Sequence, residues 1–189
     1  MQQTPSNLTP IRPDIKFLFR HPAHLIALGL GSGLSPFAPG TAGTLFAWFS
    51  FHLITLLFGL IGFSPLQWPL TIALSFFIGL WACRITAENM RTQDPGAIVW
   101  DEVVAFWLVF YSLAWLPFPN TFIMQAIAFI LFRLFDMVKI GPVRWADQHF
   151  KGAGYRNAFG IMFDDIVAAI LTIIVLYSAS FLLLLFNHV

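Results

Sequence analysis

Three short stretches of this chain group acidic and basic residues in patterns that can do chemistry. Asp101 and Glu102 are adjacent, as are Asp164 and Asp165, and Arg133 and Asp136 are spaced i,i+3, one face of a helix. Lys139 follows within a turn. These five carboxylates suit a hard divalent cation. Mg²⁺ takes oxygen ligands, keeps several waters, and usually uses one or two carboxylates plus phosphate oxygens of a substrate. Five exceed the need of a single ion, so either two ions bind, or one binds and a spare carboxylate acts as base or nucleophile. The acidic pairs also have a plainer explanation. Carboxylates in the first turn of a helix favour its dipole by roughly 0.3–1 kcal/mol. Asp136 lacks that explanation, because it ends an apolar run, where an anion needs a cation beside it. Arg133, Lys139 or a metal would serve.

The second polar feature is the run Gly29-Leu-Gly-Ser-Gly-Leu-Ser-Pro-Phe-Ala-Pro-Gly-Thr-Ala-Gly-Thr44. Glycines let backbone N–H groups approach an anion, and Thr44 stands where it could cap a helix. Gly40, Thr41 and Thr44 are therefore candidate substrate-binding positions. No Gly-Lys-Ser/Thr follows, so this is not a Walker loop, and a plain interfacial loop stays open beside a phosphate cradle. The single cysteine, Cys83, forbids an internal disulfide and reads as packing. His21 and His24 lie beside a basic cluster and read as headgroup contacts. His52 reads as a satisfied buried histidine, and His149, beside Asp147, as a minor acid/base candidate.

The elements that position these groups are set by composition. Of 189 residues, 58% are hydrophobic, 17% aromatic and 10% charged, and the mean hydropathy is +0.78. A soluble domain is roughly 25% charged. The fold class expected is therefore an all-α integral membrane protein. Five apolar stretches approach the roughly 17–25 residues a crossing needs, at 44–63, 66–83, 99–116, 121–135 and 161–186. Ser64-Pro65 and Pro117-Phe-Pro-Asn120 read as tight turns between antiparallel helices. Residues 1–22 form a polar, basic N-terminal segment with Arg12, Lys16 and Arg20, and no cleaved signal peptide is apparent. The run 25–30 is too short to cross and suggests an interfacial or re-entrant helix. Residues 23–189 read as one membrane-embedded domain.

All 19 charged residues fall in three segments, 12–20, 84–102 and 133–165, which five crossings put on one face. The positive-inside rule makes that face cytoplasmic, with the N-terminus in and the C-terminus out. A net charge of +1 argues against a nucleic-acid partner. An ion or proton transporter using these carboxylates is the alternative reading. It would need charges near mid-depth and access from both sides, and no internal repeat is visible.

Four runs, taken in order, resemble phosphatidylglycerophosphatase A. They are Gly31-Ser-Gly-Leu-Ser-Pro-Phe-Ala-Pro-Gly-Thr-Ala-Gly-Thr44, Ile98-Val-Trp-Asp-Glu102, Phe132-Arg-Leu-Phe-Asp136 and Gly160-Ile-Met-Phe-Asp-Asp165. The resemblance covers roughly residues 24–169. It implies a Mg²⁺-dependent lipid phosphatase of the bacterial inner membrane that converts phosphatidylglycerophosphate to phosphatidylglycerol. It further implies that Asp101, Glu102, Asp136, Asp164 and Asp165 are the metal and catalytic positions and that Arg133 and Lys139 are the basic ones, both of which are expected to bind the substrate's phosphate oxygens. Asp94 matches a further loop acid. The sequence departs from the family at Lys139-Ile-Gly-Pro142, where many relatives have Lys-Pro followed by an aromatic residue and Pro, and at Ala105, where Gly is frequent. Water attack and an aspartyl-phosphate intermediate both remain open, as does the oligomeric state.

Overall fold

The computed structural model describes residues 9–62, 67–93, 95–139, 141–150 and 152–187. Among these, regular structure is helical throughout. The N-terminal segment forms two short helices, α1 (Ile15–Leu18) and α2 (Pro22–Ala27). Each is capped by its own sequence. Asp14 Oδ1 accepts from Phe17 N at 2.7 Å, and His21 Nδ1 accepts from Ala23 N at 3.1 Å, with Pro22 opening α2. A 3₁₀ segment, Gly29–Leu34, turns the chain into α3 (Pro39–Leu60). Then follow α4 (Trp68–Met90), α5 (Trp100–Leu113), α6 (Phe122–Val138), α7 (Pro142–His149) and α8 (Tyr155–Asn187).

Three helices, α3, α4 and α8, are long and apolar enough to cross a membrane. The helices at the expected third and fourth crossings are shorter than these three. α5 has 14 residues and α6 has 17, or about 21 and 26 Å at 1.5 Å per residue, against a hydrocarbon core of about 30 Å. α5 is the inner helix. Val103, Val104, Ala105, Phe106 and Val109 are wholly buried, because α3, α4, α6 and α8 pack around it. Ala105, one of the departures from the family pattern, fits this interior without strain on the packing, at 0% exposure. α6 turns Ile123, Ile127, Ile130 and Leu134 outward, an apolar stripe at helical spacing that suits lipid rather than water. Close approach relies on small residues. A Cβ on Gly79 would stand 2.7 Å from Trp100 and 2.8 Å from Met162, so α4, α5 and α8 meet there. Cys83 is buried beside Met162, Sγ to Sδ 3.8 Å, as a packing residue.

α8 is 33 residues, about 50 Å, longer than a crossing requires. Its uninterrupted apolar part, 166–186, is about 31 Å long and matches the hydrocarbon thickness. The N-terminal segment packs onto the same end of the bundle. Ile11 N donates to Met90 O at 2.9 Å, and Phe17, Leu18, Leu28 and Met90 form a second apolar cluster. His24 is buried here, which corrects the headgroup reading: its Nδ1 lies 2.8 Å from Phe17 O and its ring stacks on Phe17. His52 is satisfied but exposed, and bonds to Gln125 at 3.0 Å. The turn at Ser64-Pro65 lies outside the described residues.

Candidate active site

The site is built from the start of α5, the end of α6 and a point inside α8. α5 starts at Trp100, so Asp101 and Glu102 occupy its first turn. The chain leading into it is held from both sides. Val99 N donates to Ala27 O at 2.9 Å, Trp100 Nε1 donates to Ser75 O at 3.0 Å, and Gly33 and Gly43 press against Ala97 and Val99. A side chain on Gly33 would run into the carbonyl of Ala97, and one on Gly43 would meet Val99 at 2.6 Å. Most of the glycine-rich run therefore serves this backbone approach.

Arg133 and Asp136 come from the last turns of α6, which ends at Lys139 with φ +47°. Asp164 and Asp165 lie nearly three turns inside α8, just before its apolar stretch begins. The capping explanation thus fails for this pair: they begin the membrane-facing part of the helix but not the helix. For Asp101 and Glu102 it stays available.

The five carboxylates sort into two groups. Asp101, Glu102 and Asp165 each offer an oxygen, all within 4.8 Å of one another. Among the described residues Asp101 Oδ1, Glu102 Oε2 and Asp165 Oδ2 are buried without a hydrogen-bond partner. A buried, unpartnered carboxylate oxygen is strongly disfavoured, and three carboxylates so close repel one another as well. A cation among them removes both penalties. The other two carboxylates are held by cations. Arg133 Nη1 is 2.6 Å from Asp136 Oδ2 and 3.6 Å from Glu102 Oε1, and Lys139 Nζ donates to Asp164 Oδ2 at 2.8 Å.

A cavity of about 140 Å³ opens on this cluster. Asp101, Glu102, Asp136, Lys139, Asp164 and Asp165 line it, with Gln93, Phe150, Asn157 and Gly160 completing the walls. It has room for a headgroup-sized anion and waters, not for acyl chains. An acidic pocket with one lysine at the start of an apolar stretch suits a metal-assisted reaction on an anionic lipid headgroup.

The sequence comparisons decide the family. The phosphatidylglycerophosphatase A family model matches residues 25–180. Phosphatidylglycerophosphatase A of Escherichia coli (strain K12) is 39% identical over 158 residues, 83% of each chain. The Haemophilus influenzae protein of the same name is 38% identical over 177 residues, 94% of this chain and all of that one. A Bacteroides thetaiotaomicron protein, provisionally named a phosphatidylinositol-3-phosphatase, is 37% identical over 162 residues, 84% of this chain and 94% of its own. No solved structure matches.

The chain belongs to the phosphatidylglycerophosphatase A family.

As a member of that family it is a membrane phosphatase, a phosphoric monoester hydrolase, and the transporter reading is not favoured. Its expected site residues are distributed as follows. All five acids and Lys139 reach the cavity, whereas Arg133 sits behind it, between Asp136, Glu102 and α3. Gly40, Thr41 and Thr44 do not line the cavity. Gly40 faces Glu102 and Arg133, where any side chain would overlap Glu102 Oε1. Thr44 is inside α3 rather than at its cap. Its hydroxyl donates to Gly40 O at 2.9 Å and accepts a long 3.5 Å bond from Arg133. Thr41 is partly exposed in the first turn of α3. Asp94 lies outside the described residues.

Sequence reasoning missed Asn157, buried in the cavity wall, whose Nδ2 donates to Gln93 O at 2.8 Å. The signal available was its place in the glycine-flanked run 152–160.

Proposed function

We propose that this phosphatase hydrolyses phosphatidylglycerophosphate to phosphatidylglycerol and phosphate on the cytoplasmic side of the membrane, with Mg²⁺ held by Asp101, Glu102 and Asp165. The observation that carries the reading is the trio of close carboxylates that line the cavity where the apolar part of α8 begins, each with a buried oxygen that has no partner among the described residues. Oxygen-only donors of this kind fit a hard cation. When bound, Mg²⁺ neutralises phosphoryl oxygens and acidifies a nearby water.

The chain's own groups do the rest. Lys139, at the cavity wall beside Asp164, contacts the phosphate oxygens. Arg133 holds Asp136 and Glu102 in place from behind, a division of the basic roles that its position favours. A water attacks phosphorus, a wall carboxylate takes its proton, and that proton passes to the glycerol oxygen as the P–O bond breaks and it leaves. Such a reaction depends mainly on positioning and charge stabilisation. The confinement of charge to alternate segments supports the cytoplasmic assignment.

The test is phosphate release from phosphatidylglycerophosphate by the purified chain in detergent, with Mg²⁺ or EDTA, beside phosphatidylinositol 3-phosphate. Mg²⁺-dependent release from the first lipid is expected. Faster release from the second would overturn the headgroup assignment, and release unaffected by EDTA would overturn the metal.

A further inference from the structure

A second, larger depression of about 800 Å³ adjoins the catalytic cavity. It lies between the cytoplasmic end of α4 and the start of α8, and Arg84, Glu88, Arg91 and Gly154 are among its walls. Gln93 and Asn157 line both spaces, so the hydrogen bond from Asn157 Nδ2 to Gln93 O runs along their common wall. Arg84 is fixed in place, 3.0 Å from Glu88 and 4.4 Å above the ring of Tyr155. Arg91 is exposed and stands at the C-terminus of α4 with φ +57°, a position where glycine is the usual residue.

We propose that this groove is a second phosphate-group site serving the catalytic cavity, with Arg91 as its main cation and Arg84 as its fixed flank. The inference rests on the phosphatase reading above. Phosphatidylglycerophosphate carries a phosphodiester beside its phosphomonoester, and hydrolysis of the latter releases a free phosphate. Either group is an anion of the kind a guanidinium binds through its planar fork. A cation at a helix C-terminus has a simpler use, which is to offset the helix dipole. That use does not require an adjoining cavity with a shared wall, and it makes a different prediction.

Arg91→Gly separates the two. Glycine suits the backbone at this position, so the variant keeps the fold while losing the charge. The full chain in detergent with Mg²⁺ is assayed on phosphatidylglycerophosphate, with inorganic phosphate as product inhibitor, for the parent, Arg91→Gly and Arg91→Lys. An exposed charge contact corresponds to about a three- to fivefold change in binding. We expect Arg91→Gly to raise KM, the inhibition constant of phosphate, or both by that factor, with kcat changed less than twofold and partial recovery in Arg91→Lys. A rise in KM alone identifies the bound group as the lipid phosphodiester. A rise in the inhibition constant alone identifies released phosphate. If neither moves twofold, Arg91 serves only the helix dipole and the proposal falls. If the parent does not hydrolyse this lipid, the functional reading fails instead. The groove is then judged by whether inorganic phosphate raises the melting temperature of the parent more than that of Arg91→Gly in metal-free buffer. Equal shifts would overturn it.

Discussion

Asp165 is the residue at which alternative explanations part most cleanly. It lies well inside α8, so it has no helix end to cap, and its Oδ2 is buried without a partner among the described residues. With Asp101 and Glu102 close by and Asp136 and Asp164 in the same cavity wall, its charge is opposed by neighbours of the same sign. Asp165→Asn removes one of these repulsions. The variant should melt at or slightly above the parental temperature in metal-free buffer. With Mg²⁺ the order reverses, since the parent should gain stability and the variant little. Activity should fall roughly a hundredfold or more, the upper end of what loss of groups around a metal produces. Thermal melting with and without Mg²⁺, beside phosphate release, checks both halves. Near-parental activity and Mg²⁺ response would remove Asp165 from the site.

Two elements make predictions of their own. The first turns of α3 approach Glu102 and Arg133 so closely that a side chain at position 40 would displace the carboxylate or guanidinium end. A Cβ there would stand 2.9 Å from Arg133 Nη2 and overlap Glu102. Alanine is usually the better helix former by about 1 kcal/mol. Gly40→Ala should nevertheless destabilise by about 1–3 kcal/mol, as overpacking does, and lower kcat by displacing Glu102. Gly59, on the same helix, has nothing within 4 Å of such a Cβ, so Gly59→Ala should be neutral or stabilising by up to about 1 kcal/mol. Denaturation midpoints of the two variants decide the point.

The second element is the α1–α2 segment, keyed by His24. Its Nδ1 faces Phe17 O at 2.8 Å and its Nε2 faces Asn89 Nδ2 at 2.9 Å, partners that assign a neutral ring with its proton on Nδ1. Burial lowers its pKa, and nearby His21 and Arg20 lower it further, against the raising effect of the Phe17 bond. The unfolded segment therefore takes up the proton first. Docking stability is present in full above the ordinary imidazole value of roughly 6.5 and is lost as pH falls below it toward the lowered folded value. Tryptic cleavage after Arg20 should accelerate over that range. His24→Gln should flatten the pH dependence, and a parental profile flat from pH 7 to 5 would contradict this account.

At the scale of the whole molecule, the question is which ends share a side. α5 is shorter than a hydrocarbon core is thick, yet it is enclosed by helices that are longer, so its ends need not reach water directly. From the charge distribution Arg91 and Arg156 are expected on one side and Asn120 on the other. Single cysteines at these positions, with Cys83 removed, should be labelled by an impermeant thiol reagent accordingly. In intact cells the position-120 cysteine should react, and those at 91 and 156 only after the membrane is opened. Labelling of positions 91 and 120 from the same side would break the topology and, with it, the cytoplasmic placement of the site.

The membrane class, the all-helical fold and the acidic groups that could form a site can all be read from the sequence alone. These follow from local properties: apolar runs long enough to cross, and a charge set too small and too clustered to be a solvated surface. The sequence did not determine that Asp164 and Asp165 lie deep within a helix. The apolar period starts at residue 166, whereas the helix starts at Tyr155, and polar helix next to apolar helix leaves no boundary to read. Nor did it separate the five carboxylates into a trio and two ion pairs. That division depends on which side chains meet when α5, α6 and α8 converge, at separations of tens of residues along the chain. The glycine-rich run is the feature whose packing composition left open. Its composition suits an anion cradle and a tight packing joint equally well, and only the positions of Ala97, Val99 and Glu102 against Gly33, Gly43 and Gly40 made it the joint.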